Sequence, residues 1–233
     1  MRILPFFALA LAAAPVAAPA AAAQRNYSVT DFTRIKVDGP YAVTLATGVS
    51  PFARASGSPR ALDRVSLRVE GRTLIVRTDK SAWGGSPGED VGPVTISVGT
   101  HELEQATLSG PGSLAIDKVG GLNFALSSFG SGAVSVGAIA ADRLSILAQG
   151  AGSTRVAGSV KQLTATLDGP GLIDAAGLAA KDATLSALGP ASIRATVSNS
   201  AKLVAGGTAT ITLEGGAACE KKVSGSAVVS GCR

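Results

Sequence analysis

A chain of 233 residues with 21 Lys and Arg against 16 Asp and Glu carries a formal net charge of +5, with 29 glycines and 4% aromatic residues. With one histidine and two cysteines expected to be paired, His/Cys metal sites and Ser-His-Asp triads are excluded or nearly so, and the residues call for no cofactor. A modest net charge without aromatic–basic interleaving argues against a nucleic-acid partner.

Met1 to Ala23 reads as a secretory signal peptide. Arg2 supplies the positive start, Leu4 to Val16 the apolar stretch, and Ala21-Ala22-Ala23 a small-residue cleavage site before Gln24. Pro15 and Pro19 break the apolar run, so a retained membrane helix is not expected, and no later stretch could span a bilayer. No cysteine lies near the cleavage site, as a lipoprotein would require. The expected location is periplasmic, cell-surface or secreted.

Residues 24–100 read as a β-meander. Phe32 to Val37 alternates strictly, Asp38-Gly39-Pro40 turns the chain, and Tyr41 to Leu45 alternates again. Val65 to Glu70, the turn Gly71-Arg72 and Thr73 to Arg77 read as a hairpin, with Pro59 to Arg64 as a single helical turn before it. Trp83 sits in the glycine loop that follows, and Val94 to Val98 is one more strand. The meander is expected to cap the element after it.

That element fills residues 101–233. Glycine corners recur at Gly110, Gly130, Gly150, Gly169, Gly189, Gly207 and Gly225, with steps of 20, 20, 19, 20, 18 and 18 residues. Four residues before these corners stand Ala106, Leu126, Ile146, Ala165, Leu185 and Leu203, and four after them Leu114, Val134, Thr154, Ile173, Ile193 and Ile211. Short alternating strands around a glycine corner cannot bury their apolar side alone, whereas stacked units build one narrow continuous core. The expected fold is all-β: a Gly-cornered parallel β-solenoid, β-helix-like, with about 20 residues per coil, behind the N-terminal cap. Seven coils at about 4.8 Å per stacked strand give a rod on the order of 35 Å. Cys219 and Cys232 bracket the last coil and are expected to form a disulfide that clamps it.

Chemistry is scarce. His101 reads as a turn residue entering the first coil. An enzyme would need carboxylates converging from neighbouring coils, yet the column before the corner glycines reads Ser109, Phe129, Gln149, Asp168 and Leu188, with Asp168 its one acid. Residues 52–80 hold seven Lys and Arg against three Asp and Glu, so the basic character lies in the cap. Arg64, Arg68 and Arg72 share one parity. They read either as a stripe for an anionic partner or as a solvated face that keeps edge strands apart. Trp83 is the one plausible aromatic contact for a sugar.

The phrase Phe32-x-x-Ile35-x-Val37-x-Gly39-Pro40-Tyr41-x-Val43-x-Leu45 resembles the opening of the bacterial head GIN domain family, the head of autotransporter adhesins. The likeness continues through Leu62-Asp63-x-Val65, the hairpin to Val76, and Leu108-Ser109-Gly110-Pro111-Gly112-Ser113. It implies a β-helical, export-associated domain with adhesion as its attached role and no catalytic motif. No β-barrel segment follows the repeats, so the likeness is to a head and not to a complete autotransporter. The functional expectation is a non-enzymatic envelope protein that meets an anionic polymer, a glycan or a protein. The alternatives are a polysaccharide-active enzyme near Asp168 and a purely structural periplasmic protein.

Overall fold

Leu114 and Ile116 point inward and are buried, while Ser113 and Ala115 beside them stay exposed; this alternation recurs along the coils up to β14 and closes one tube. The structure is a computed structural model that describes residues 23–79 and 92–233. The chain enters through β1 (Ala23–Tyr27), β2 (Arg34–Asp38), β3 (Ala42–Thr47) and β4 (Phe52–Gly57), a helical turn α1 (Pro59–Asp63), the hairpin β5 (Val65–Glu70) and β6 (Thr73–Thr78), and β7 (Thr95–Thr100). β8 (Gln105–Ser109) then leads to five long strands: β9 (Ser113–Phe129), β10 (Ala133–Gln149), β11 (Ser153–Asp168), β12 (Leu172–Gly189) and β13 (Ser192–Gly207). The shorter β14 (Thr210–Glu214), β15 (Ala218–Val223) and β16 (Val228–Ser230) finish the chain.

The expected columns are ladders. Ala106, Leu126, Ile146, Ala165, Leu185 and Leu203 pair in succession, and so do Leu114, Val134, Thr154, Ile173, Ile193 and Ile211. All are buried. Each large aliphatic side chain removed from water this way contributes about 1.5–3 kcal/mol. No coil could collect that alone, so the stacked register is what holds the tube together.

The coil has two bends of different character. At the glycine corners backbone lies directly on backbone: the Gly130 N–H donates to Gln149 O at 2.9 Å and the Gly150 N–H to Asp168 O at 2.9 Å. A Cβ on Gly152 would stand 2.6 Å from Gly132 O, so this place tolerates no side chain. At the opposite bend the ladder runs on, and each pair of short strands expected from the sequence is joined into one strand of 16 to 18 residues. The register shifts fall there, between Val136 and Ile139, between Arg155 and Gly158, and between Ala175 and Ala179. Uneven repeat lengths are thus absorbed at the second bend, and the glycine corners stay in line.

The N-terminal stretch closes one end, but it also extends the tube. β2 and β3 pair parallel with β8 and β9, and the Gly39 N–H donates to Ser109 O at 3.0 Å as in the later corners. Gly39-Pro40-Tyr41 is therefore a further corner, with Ile35 and Val43 continuing the two columns. β6 and β7 stack on β2 and β3 as another parallel layer. Only then do antiparallel strands seal the end: β5 on β6, β4 on β7 and β1 on β4. Ser58 caps α1 by accepting the Ala61 N–H at 3.2 Å, and the turn buries Ala61 and Leu62. Arg25 ties β1 to it through Leu62 O at 3.1 Å and Asp63 at 2.6 Å.

At the other end the inner columns change chemistry. The ladder of Leu185 and Leu203 ends in Lys221, and that of Ala201 ends in Cys219. Cys219 and Cys232 form the expected disulfide, with Cα atoms 5.7 Å apart and a sequence separation of 13.

Candidate functional site

The outward residues of β5, β6 and β2 form a grid set by strand register. Arg68 lies opposite Ile75, and Ile75 opposite Lys36; Thr73 joins Glu70 to Arg34, and Arg77 lies between Ser66 and Asp38. Together with Arg64 and Arg72, which flank β5, this face carries Arg34, Lys36, Arg64, Arg68, Arg72 and Arg77 against Asp38 and Glu70. Arg68 sits 3.7 Å from Glu70 and 3.5 Å from Ser66 Oγ, and both ion-pair partners are about half exposed. In that setting an ion pair is worth at most about 1 kcal/mol and leaves the cation open to a ligand.

The three arginines expected as a stripe hold different posts. Arg64 is the C-cap of α1, Arg68 faces outward in mid-strand, and Arg72 sits in the hairpin turn, where its carbonyl accepts from the Thr33 and Arg34 N–H groups. At about 3.4 Å per residue the end pair is roughly 27 Å apart along the strand, a line and not a pocket. Arg34 and Lys36 complete the patch. Their outward parity is readable in the sequence, but their place beside Arg68 depends on β2 pairing parallel with β6, which local pattern does not reveal. Trp83 lies outside the described residues, as do residues 1–22 of the expected signal peptide.

Asp168 ends β11 exposed, with Gln149 and Leu188 as its ladder neighbours, so neither supplies a second carboxylate. His101 is a turn residue, as expected, and its Nδ1 lies 3.2 Å from Asp31 Oδ1. The hydrogen bond from Thr100 Oγ1, and next the one from His101, hold the Asp31 carboxyl below the usual carboxylate range. Among the described residues no group of three His, Cys, Asp or Glu is placed to hold a metal ion, and no helix is long and apolar enough to cross a membrane.

The sequence columns did not reveal the hollows on the tube's surface. Two adjoin at the second bend, where β9 passes beneath the segment joining β7 to β8, with volumes of about 570 and 690 Å3. Glu102 and Gly121 belong to both. On one side Arg143 donates from Nε to Gln162 Oε1 at 3.3 Å and from Nη1 to Asn123 Oδ1 at 3.2 Å. Glu104 stands at the cap side, its Oε2 accepting from Thr33 Oγ1 at 3.1 Å.

The basic face is built on Arg34, Lys36 and the Val65 to Val76 hairpin, inside the stretch whose sequence resembles the head GIN opening. A family model described as "Putative auto-transporter adhesin, head GIN domain" matches residues 31–217, which take in that opening, the hairpin and the corners up to Gly207. The chain belongs to this family. The fold of this GIN domain is shared with the crystal structure of a protein titled a putative adhesin from Bacteroides fragilis. That match has a TM-score of 0.77 at 18% identity over 89% of this chain and 94% of the other. A structure titled putative lipid binding protein from Parabacteroides distasonis gives 0.72 at 20% identity over 91% and 97%. A structure titled a putative adhesin from Parabacteroides merdae gives 0.71 at 17% identity over the same shares. No match is found among curated protein sequences. At these identities the structural likeness speaks for the fold of the GIN domain.

Proposed function

We propose that this GIN domain is a non-enzymatic, exported envelope protein of adhesin type that holds an anionic surface polymer against its cap. One observation carries the reading: parallel pairing of β2 with β6 gathers Arg34, Lys36, Arg68 and Arg77 onto a single exposed sheet face, with Arg64 and Arg72 at its margins. A flat array in which Arg68 and Lys36 lie two strands, about 10 Å, apart suits a repeating polyanion better than a small molecule. The family description, an adhesin head, and the signal-like N-terminus support export. The lack of a second carboxylate beside Asp168 supports binding over cleavage.

The test is retention on immobilised heparin and on lipopolysaccharide-coated surfaces. Replacing Arg64, Arg68 and Arg72 together with Glu should weaken retention at least about tenfold, and raising salt should release the parent, because exposed charges are screened within about 8–10 Å. Equal retention of the triple variant and the parent would sink the basic-face reading. Turnover of a glycan, lost in Asp168→Asn, would replace it with an enzyme.

A further inference from the structure

At the bend opposite the glycine corners, coil-on-coil stacking is interrupted where the cap meets β9. Over Lys118 to Asn123 lies no complete coil but the ends of two: Thr47-Gly48 leaving β3, and His101 to Glu104 running from β7 into β8. The floor is also lowest here, because Gly120 and Gly121 stand where the next coil has Ala140 and Ala141. The notch that results is the pair of hollows meeting at Glu102 and Gly121.

We propose that this notch is a binding site for an uncharged saccharide segment. Its volume falls in the range of small-ligand sites, roughly 300–1,000 Å3 for each hollow. Its polar groups are of both signs. Arg143, bonded to the side-chain oxygens of Asn123 and Gln162, offers its remaining N–H groups, and the two amide NH2 groups are further donors. The carboxylates of Glu102 and Glu104 line the same hollow, and when ionised they only accept. Paired hydroxyls, each able to donate and accept, satisfy such walls together. A polyanion would meet Glu102 and Glu104, and a polycation would meet Arg143 and Lys118. Leu122, 71% exposed and lining the notch, supplies an apolar surface for the C–H face of a sugar ring.

The walls are fixed before any ligand arrives. Asp117 Oδ1 accepts from the Thr47 N–H at 3.0 Å and from the Lys118 N–H at 2.6 Å, and Thr47 Oγ1 donates to Lys118 O at 2.7 Å. Glu104 is held by Thr33, itself buried. Such preorganisation lowers the ordering cost that weakens most exposed polar sites.

This site is distinct from the basic face, and the experiment keeps the two apart. The 15N-labelled chain without residues 1–23 is titrated with neutral hexasaccharides of glucose, galactose, mannose and N-acetylglucosamine. At least one is expected to shift the resonances of Gly120 to Asn123 and the Arg143 Nε–H, with Kd near or below about 1 mM. Arg143→Ala and Glu102→Ala, both at exposed positions, should each weaken it about tenfold or more, while Arg68→Glu leaves it unchanged and weakens only heparin retention. The proposal is overturned if no hexasaccharide moves these resonances at about 10 mM. It is equally overturned if the shifts map elsewhere, or if Arg143→Ala binds like the parent.

Discussion

Gly150→Ala is expected to cost about 2–6 kcal/mol of folding stability. Gly150 has φ +107, where a side chain costs about 1–3 kcal/mol on its own. Its new Cβ would also stand 2.5 Å from Gly130 O and 3.2 Å from Gly130 Cα. The obstacle is backbone of the preceding corner, itself seated on Gly110, so relief requires lifting one coil off the next and adds about 1–3 kcal/mol. Gly120→Ala is the control. Its φ is not left-handed and its Cβ would meet only Ala140 O at 3.7 Å, so the change should stay within about 0.5 kcal/mol. Urea unfolding followed by circular dichroism compares the two. Equal midpoints would mean that the glycine corners are a matter of composition and not of contact.

Removing the disulfide, as Cys219→Ser with Cys232→Ser, should release about 3 kcal/mol by the loop-closure estimate for a separation of 13 residues. The loss is expected to be local. In a stacked array each coil touches only its neighbours, so freeing the last coil uncovers the β13 edge while the ladders of β9 to β11 stay intact. Hydrogen exchange reads this directly: amides of β15 and β16 should exchange faster by up to about a hundredfold, and those of β9 to β11 at the parent rate. Uniform acceleration along the whole chain would show instead that the solenoid unfolds as one cooperative block.

Much of the solenoid was legible because its physics is local and repeated. Columns such as Leu126, Ile146 and Leu185 and the glycine corners recur at nearly constant spacing, and the Val65 to Val76 hairpin needs only a turn and two alternating runs. The two extra N-terminal layers were hidden for a physical reason. Gly39 lies 71 residues ahead of Gly110, Tyr41 occupies a place that Gly112 fills in the next corner, and β6 and β7 stack outside β2 and β3 although they follow them in the chain. Tyr41 fits because it turns toward the cap, where its hydroxyl shares a hydrogen bond of 2.8 Å with Thr78 Oγ1. The notch was hidden for the same reason. Its walls come from residues 47–48, 101–104, 117–123 and 143, and only a long return of the chain brings them together. Charge, by contrast, was half legible: Arg68 and its neighbours on β5 could be seen, while Arg34 and Lys36 became part of the same face only through pairing.

Lys221 stands where every earlier coil puts Ala, Leu or Ile, and antiparallel strands seal the opposite end. A second copy stacking its coils in line would have to cover the Lys221 ammonium at one end or the antiparallel strands at the other, and both oppose growth of the rod. Its length is written in the gene. Duplication of one internal repeat would move the two ends apart by about 4.8 Å while leaving both stoppers untouched. A lineage can therefore adjust the length of the rod one coil at a time.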